Sequence, residues 1–198
     1  RAFDRREFEV DLRRALGLRQ FTLHYQPQTS LVERRVTGFE ALIRWEHPTR
    51  GQGSPMDFIP LAEELGEIAS IGRWVIRSAC EQAASWKDER LGVAVNVSPA
   101  QFVDDTIIRV VSDALEHSGL APERLELEIT EGLFLEESDA IMRRLWAIKE
   151  LGVAIAIDDF GTGYASLIHI TSFPVKEIKI DKQFIFGIET DRRVRDMS

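Results

Sequence analysis

The feature that most constrains this chain is a regular alternation of short apolar runs with amphipathic helical stretches. After an opening helix, "REFEVDLRRALG", the strand-like runs are "FTLHYQP", "RVTGFEALIRW", "GVAVNVS", "RLELEIT", "VAIAIDD" and "VKEIKID". Between them, Ile71, Val75, Ala79, Gln82 and Trp86 recur at helical spacing. Ile107, Val111, Ala114 and Leu115 do so before Gly119, and Ile141, Leu145 and Ile148 before Gly152. Alternating strand and helix predicts parallel strands joined by crossovers. The first connection, within "QPQTSLVERR", is too short for a helix and predicts an antiparallel hairpin.

Five of these six strands also deliver polar groups at or near their C-terminal ends. Glu40 interrupts the apolar run "FEALIRW", Asn96 lies late in "GVAVNVS" and Glu128 late in "RLELEIT". Asp158 and Asp159 follow "VAIAI", and Lys179 and Asp181 close "VKEIKID". A closed barrel gathers such groups at one mouth, where barrel enzymes work, whereas an open sheet spreads them along an edge. A barrel is therefore the expected architecture. Taken singly, each residue has a plainer reading as a cap, a turn or a solvated charge. Their recurrence at the same end of successive strands is what argues for a site.

Glu40, Asn96, Glu128, Asp158 and Asp159 are all oxygen donors and would repel one another without a cation. Such a set suits magnesium, manganese or calcium rather than zinc. The four histidines, at 24, 47, 117 and 169, show no metal-ligand spacing. Adjacent aspartates allow one carboxylate to bridge two ions, which fits two-metal hydrolysis of phosphate esters. Arg44, two alternations from Glu40, is placed to hold a phosphate by its fork, and Lys179 to do so as a point charge.

Composition limits the alternatives. At 198 residues with 44% hydrophobic content, one full core is expected, and hence a single domain over 1–198. The net charge of -8, with both signs interspersed, argues against polymeric nucleic acid or an anionic membrane as partner. No apolar run approaches the length of a membrane span. Cys80, the one cysteine, rules out an internal disulfide and reads as a small core residue. A cytoplasmic setting is expected, although the parent protein could be membrane-anchored.

The residues resemble the EAL-domain family of bacterial phosphodiesterases specific for cyclic di-GMP. The resemblance is carried by "YQP" (25–27), "EALIRW" (40–45), "FIPLAEELG" (58–66), "NVSPAQF" (96–102), "ELEITE" (126–131), "IDDFGTGYASL" (157–167) and "KEIKIDKQFI" (176–185), in family order over essentially the whole chain. It implies an α/β fold, a TIM-type barrel with an antiparallel first strand, and hydrolysis of cyclic di-GMP to linear pGpG with two Mg2+ or Mn2+ ions, Ca2+ being inhibitory. Glu40, Asn96, Glu128 and Asp158 would hold the first ion, and Asp158 with Asp159 the second. Glu40, Asp159, Lys179 and Glu131 form the implied catalytic set. Within it, Lys179 positions water or phosphate, and Glu131, though no ligand, anchors the loop after strand "VAIAIDD". Gln26, Leu42, Arg44 and Asp181 would contact the nucleotide.

The family pattern further implies a homodimer through the region around 158–168, and the opening of the chain looks like the join to an upstream regulatory module. Six strands are counted where a barrel takes eight. The sequence is thus expected to be C-terminally incomplete, with open edges that invite non-native pairing and with little hydrolysis on its own. Rival readings are a receptor that binds cyclic di-GMP without cleaving it and an interaction scaffold that works through dimerisation.

Overall fold

The structure is a computed structural model and describes residues 5–135, 138–161 and 174–180. It is an α/β fold around one mostly parallel sheet. Helix α1 (Arg5–Ala15) leads into an antiparallel hairpin of β1 (Phe21–Ser30) and β2 (Arg35–His47). Parallel strands β4 (Gly92–Val97), β5 (Leu125–Thr130), β6 (Ala154–Phe160) and β7 (Glu177–Ile180) follow, giving the order β1-β2-β4-β5-β6-β7. The expected antiparallel first pair is therefore present. β3 (Gly51–Gly53), which the strand count omits, pairs with the end of β2. Three residues, two of them glycine, leave no alternation to read. Among the described residues no hydrogen bonds join β7 to β1.

The connections are helical where the apolar period foretells it. Helices α2 (Pro55–Glu64) and α3 (Ile68–Ala84) link β2 to β4, α4 (Thr106–Ser118) links β4 to β5, and α5 (Asp139–Glu150) links β5 to β6. Ser54 caps α2 by accepting the Met56 N–H, with Pro55 at the first helical position. α4 buries Ile107, Val111, Ala114 and Leu115 and stops where Gly119, at φ 69°, donates its N–H to the Leu115 carbonyl.

One detail of the helical reading fails. Ile71, Val75 and Ala79 are buried on α3, but Gln82 is exposed and the buried stripe continues through Cys80 and Ala83. A stripe spaced by four drifts around a helix of 3.6 residues per turn, so the buried line moves off Gln82. Trp86 lies beyond the helix and packs on Tyr25 and Phe39.

The core fills the space between sheet and helices. Trp45 is fully buried, with Phe8, Phe21, Phe58 and His47 around it and its indole N–H on Gln20 Oε1 at 3.1 Å. Cys80 is buried and free, as its sequence setting predicts. Among the described residues no helix is long and apolar enough to cross a membrane.

Candidate active site

Register sets the polar groups in steps along one rim, at or near the C-terminal ends of β4, β5, β6 and β7. Glu40 instead lies midway along β2, late only in its pairing with β4, because β2 runs on to pair with β3. Glu40 lies opposite Ala94, so Asn96 stands two residues further along on the same face. Asn96 is directly opposite Glu128, and Thr130 opposite Asp158. Each parallel neighbour thus carries its functional residue near the same rim.

β6 has an irregularity at this rim. Ile157 pairs with Ile178 and Phe160 with Ile180, so Asp158 and Asp159 together oppose the single residue Lys179. This is the two-against-one pattern of a β-bulge, which re-aims side chains. Asp159 takes the left-handed conformation, φ 53°, which aspartate tolerates better than most residues.

The side chains meet across the strands. Asn96 Nδ2 donates to Glu40 Oε1 at 2.7 Å. Lys179 Nζ donates to Glu128 Oε1 and lies 3.9 Å from Glu40 Oε2. Gln28 Nε2 donates to the same Glu128 oxygen at 3.3 Å. Sequence reasoning missed Gln28. The available signal was strand alternation, which places it on the face of Gln26. Gln26 itself lies opposite Glu40 in the hairpin and is exposed.

Glu128 is 1% exposed, and its Oε2 has no hydrogen-bond partner among the described residues. Burial pushes its carboxyl up to about 7, against the pull of Lys179, and the charges of Glu40 and Asp158 add to the rise. Burial also works against the Lys179 charge. Its hydrogen bond to Glu128 and the nearby carboxylates outweigh that and hold the ammonium above its ordinary range.

Glu131 stands apart from this group. It is buried, and its Oε2 accepts the Gly161 N–H at 3.1 Å just past the bulge. Leu42 and Arg44 line a cavity of about 320 Å3 together with Asn96 and Glu128. A larger cavity of about 850 Å3, between α3 and α4, is lined by none of the candidate residues. Asp181 and most of the 158–168 segment lie outside the described residues.

An all-oxygen set with an unpartnered buried carboxylate oxygen fits a hard divalent cation. Among the described residues no three His, Cys, Asp or Glu side chains close into a ready cage. The Lys179 ammonium bridges Glu40 and Glu128 instead, and the Asn96 amide donates to Glu40.

The family model for the EAL domain matches residues 9–197. The chain belongs to the EAL-domain family. It is 44% identical over 184 residues to the bifunctional diguanylate cyclase/cyclic di-GMP phosphodiesterase MucR of Pseudomonas aeruginosa, covering 91% of this chain and 27% of that protein. It is 41% identical over 196 residues to the cyclic di-GMP phosphodiesterase NbdA of the same organism, covering 98% of this chain and 25% of that protein. This EAL chain spans about a quarter of the length of the curated relatives it matches. Among solved structures, the PaMucR phosphodiesterase in complex with c-di-GMP superposes at TM-score 0.90 and 40% identity, over 96% of this chain and 78% of that one. The EAL enzyme Bd1971, in a cAMP and cyclic-di-GMP bound form, gives 0.89 at 30% identity, over 98% and 54%. The TIM-like barrel class expected from the strand-end pattern is thereby shown.

Proposed function

We propose that this chain hydrolyses one phosphodiester bond of cyclic di-GMP, giving linear pGpG, with two Mg2+ or Mn2+ ions. The observation that carries the reading is the meeting of Glu40, Asn96, Glu128 and Lys179 at one rim, beside the bulged Asp158–Asp159 pair. The names of its relatives and the c-di-GMP complex of a 40% identical structure support it.

In this reading Glu40, Asn96, Glu128 and Asp158 would hold the first ion, and Asp158 with Asp159 the second. Bound there, such ions would supply Lewis acidity toward the phosphate and would lower the pKa of water. Glu128, stripped of solvent, has more to gain from a cation than an exposed carboxylate does. Lys179 keeps its proton and brings a positive charge and N–H donors to the phosphate or the attacking water. Arg44 and Leu42, lining the cavity next to Asn96, receive the nucleotide together with Gln26 and Asp181. Glu131 fixes the backbone where β6 ends. A homodimer through the region around 158–168 and an upstream regulatory module complete the proposal.

Chromatography of the product from cyclic di-GMP tests it. Turnover to pGpG is expected with Mg2+ or Mn2+, little with Ca2+, and none in Glu40→Ala or Asp158→Ala. Undiminished cleavage by either variant overturns the two-ion assignment. Tight binding with no pGpG under any metal would favour the receptor reading.

A further inference from the structure

The segment "FIPLAEELG", 58–66, carries none of the residues proposed to hold ion or nucleotide, yet Ile59 and Glu63 line the cavity beside them. Glu63, on α2, accepts a hydrogen bond from the Ser98 hydroxyl, Oγ to Oε1 2.6 Å, across 35 residues of sequence. Ser98 lies two residues past Asn96, where β4 turns into the 3-10 segment Pro99–Phe102.

The turn is held from three sides. Ser98 Oγ accepts the Ala100 N–H at 3.1 Å, and the Ser98 N–H donates to Gln101 Oε1 at 3.1 Å, a reciprocal capping pair. The Gln101 amide lies against Gly72 of α3 so closely that a Cβ there would overlap it. Glu63 supplies the third tie, from α2. Glu63, Gly72, Ser98, Gln101 and Asn96 all line the 320 Å3 cavity that also receives Arg44 and Glu128. The Asn96 amide, donating to Glu40 Oε1 at 2.7 Å, thus sits at the end of a braced turn.

We infer that Glu63, through Ser98, is a positioning residue that fixes the Asn96 side chain in the cation-binding group. This rests on the ligand role proposed for Asn96 above. A partner that orients a metal ligand typically changes metal affinity by about 10- to 100-fold when removed. Glu63 is exposed on α2, so its loss leaves the core intact. A Gln at this position still offers an oxygen to the Ser98 hydroxyl, whereas Ala does not.

The test uses Mn2+ alone as ligand, by titration calorimetry, with the Asn96 side-chain amide signal in nitrogen NMR as an ion-free readout. Glu63→Ala and Ser98→Ala should each weaken Mn2+ binding about 10-fold and displace the Asn96 amide signal. Glu63→Gln should restore both. In a double-mutant cycle, Glu63→Ala should cost nothing further once Asn96→Ala is present. Unchanged Mn2+ affinity with an unmoved Asn96 signal, or additive losses in the cycle, overturns the inference. If Asn96→Ala itself binds Mn2+ normally, the ligand role falls, and the amide signal alone decides the positioning role: displaced in Glu63→Ala supports it, unmoved overturns it.

Discussion

Glu131 Oε2 accepts the Gly161 N–H at 3.1 Å, tying the end of β5 to the end of β6 across 30 residues. The bond lies two residues past the aspartate that occupies the left-handed region, φ 53° at Asp159. A buried carboxylate holding one backbone N–H at this point stiffens the bulge that aims Asp158 and Asp159. Glu131→Ala should cost about 1.5–3 kcal/mol, the range for a hydrogen bond to a charged group. Hydrogen exchange at the Gly161 amide should speed up and pGpG formation should fall. Wild-type exchange at Gly161 together with wild-type turnover would refute the anchoring role.

Glu128 tests the cation reading without any turnover. Its carboxyl is buried with one oxygen unpartnered, so Glu128→Gln removes a charge that folding must desolvate. The ion-free variant loses the ion pair to Lys179 but should still fold, and the rise in melting temperature that Mn2+ gives the parent should vanish. Ligand-linked stabilisation of about 2.7 kcal/mol is expected for the parent at Mn2+ 100-fold above its Kd. Equal Mn2+ stabilisation of both proteins would remove Glu128 from the ligand set.

At Asp159, backbone and charge can be separated. Asn tolerates the left-handed region as Asp does, so Asp159→Asn should keep the melting temperature within about 2–4 °C of the parent, under about 1 kcal/mol. It should nevertheless abolish cleavage. Substantial pGpG production by this variant would show that the second carboxylate of the pair is dispensable.

Gly38 and Gly92 face each other directly in the β2–β4 pairing. A Cβ on Gly38 would come 2.7 Å from the Gly92 carbonyl oxygen, and neither backbone can give way without parting the strands. Gly38→Ala should destabilise by about 1–3 kcal/mol, as overpacking does. Denaturant unfolding measures it, and a loss below about 0.5 kcal/mol would show that the two strands yield.

Burial pushes the Cys80 thiol and the Tyr25 phenol each up to about 12, and each would be costly to ionise in place. In the unfolded chain they release protons near about 8.5 and 10. Between those values and about 12 the native state binds more protons, so stability falls as pH rises through this window. Cys80→Ala should flatten the decline in melting temperature from about pH 9 to 11, and native Cys80 should resist alkylation at about pH 8. An undiminished slope in the variant, or rapid alkylation of the folded protein, would contradict the burial argument.

The sequence alone determined the class of the fold and the side of the sheet that carries the chemistry. Alternating apolar runs and helical stripes leave a parallel α/β sheet with few rivals, because strand and helix bury faces of different period. The strand-end positions of Asn96, Glu128 and Lys179 follow from that period, and so does the buried stripe of α4. Glu40 lies mid-strand, because β2 runs on to pair with β3. Tertiary structure decided what local pattern cannot encode. The bulge that sets Asp158 and Asp159 against Lys179 is a matter of register between strands, and register is fixed by pairing over distance. The reach of Gln28 to Glu128 and of Glu63 to Ser98 joins residues 100 and 35 positions apart, whereas the tie from Glu131 to the end of β6 is already implied by the family resemblance. Exposed alone, any of these side chains reads as an ordinary surface polar group. Only the stacking of one strand or helix on the next gives it a partner, and around Glu128 removes the water as well; that event has no signature in the neighbouring sequence.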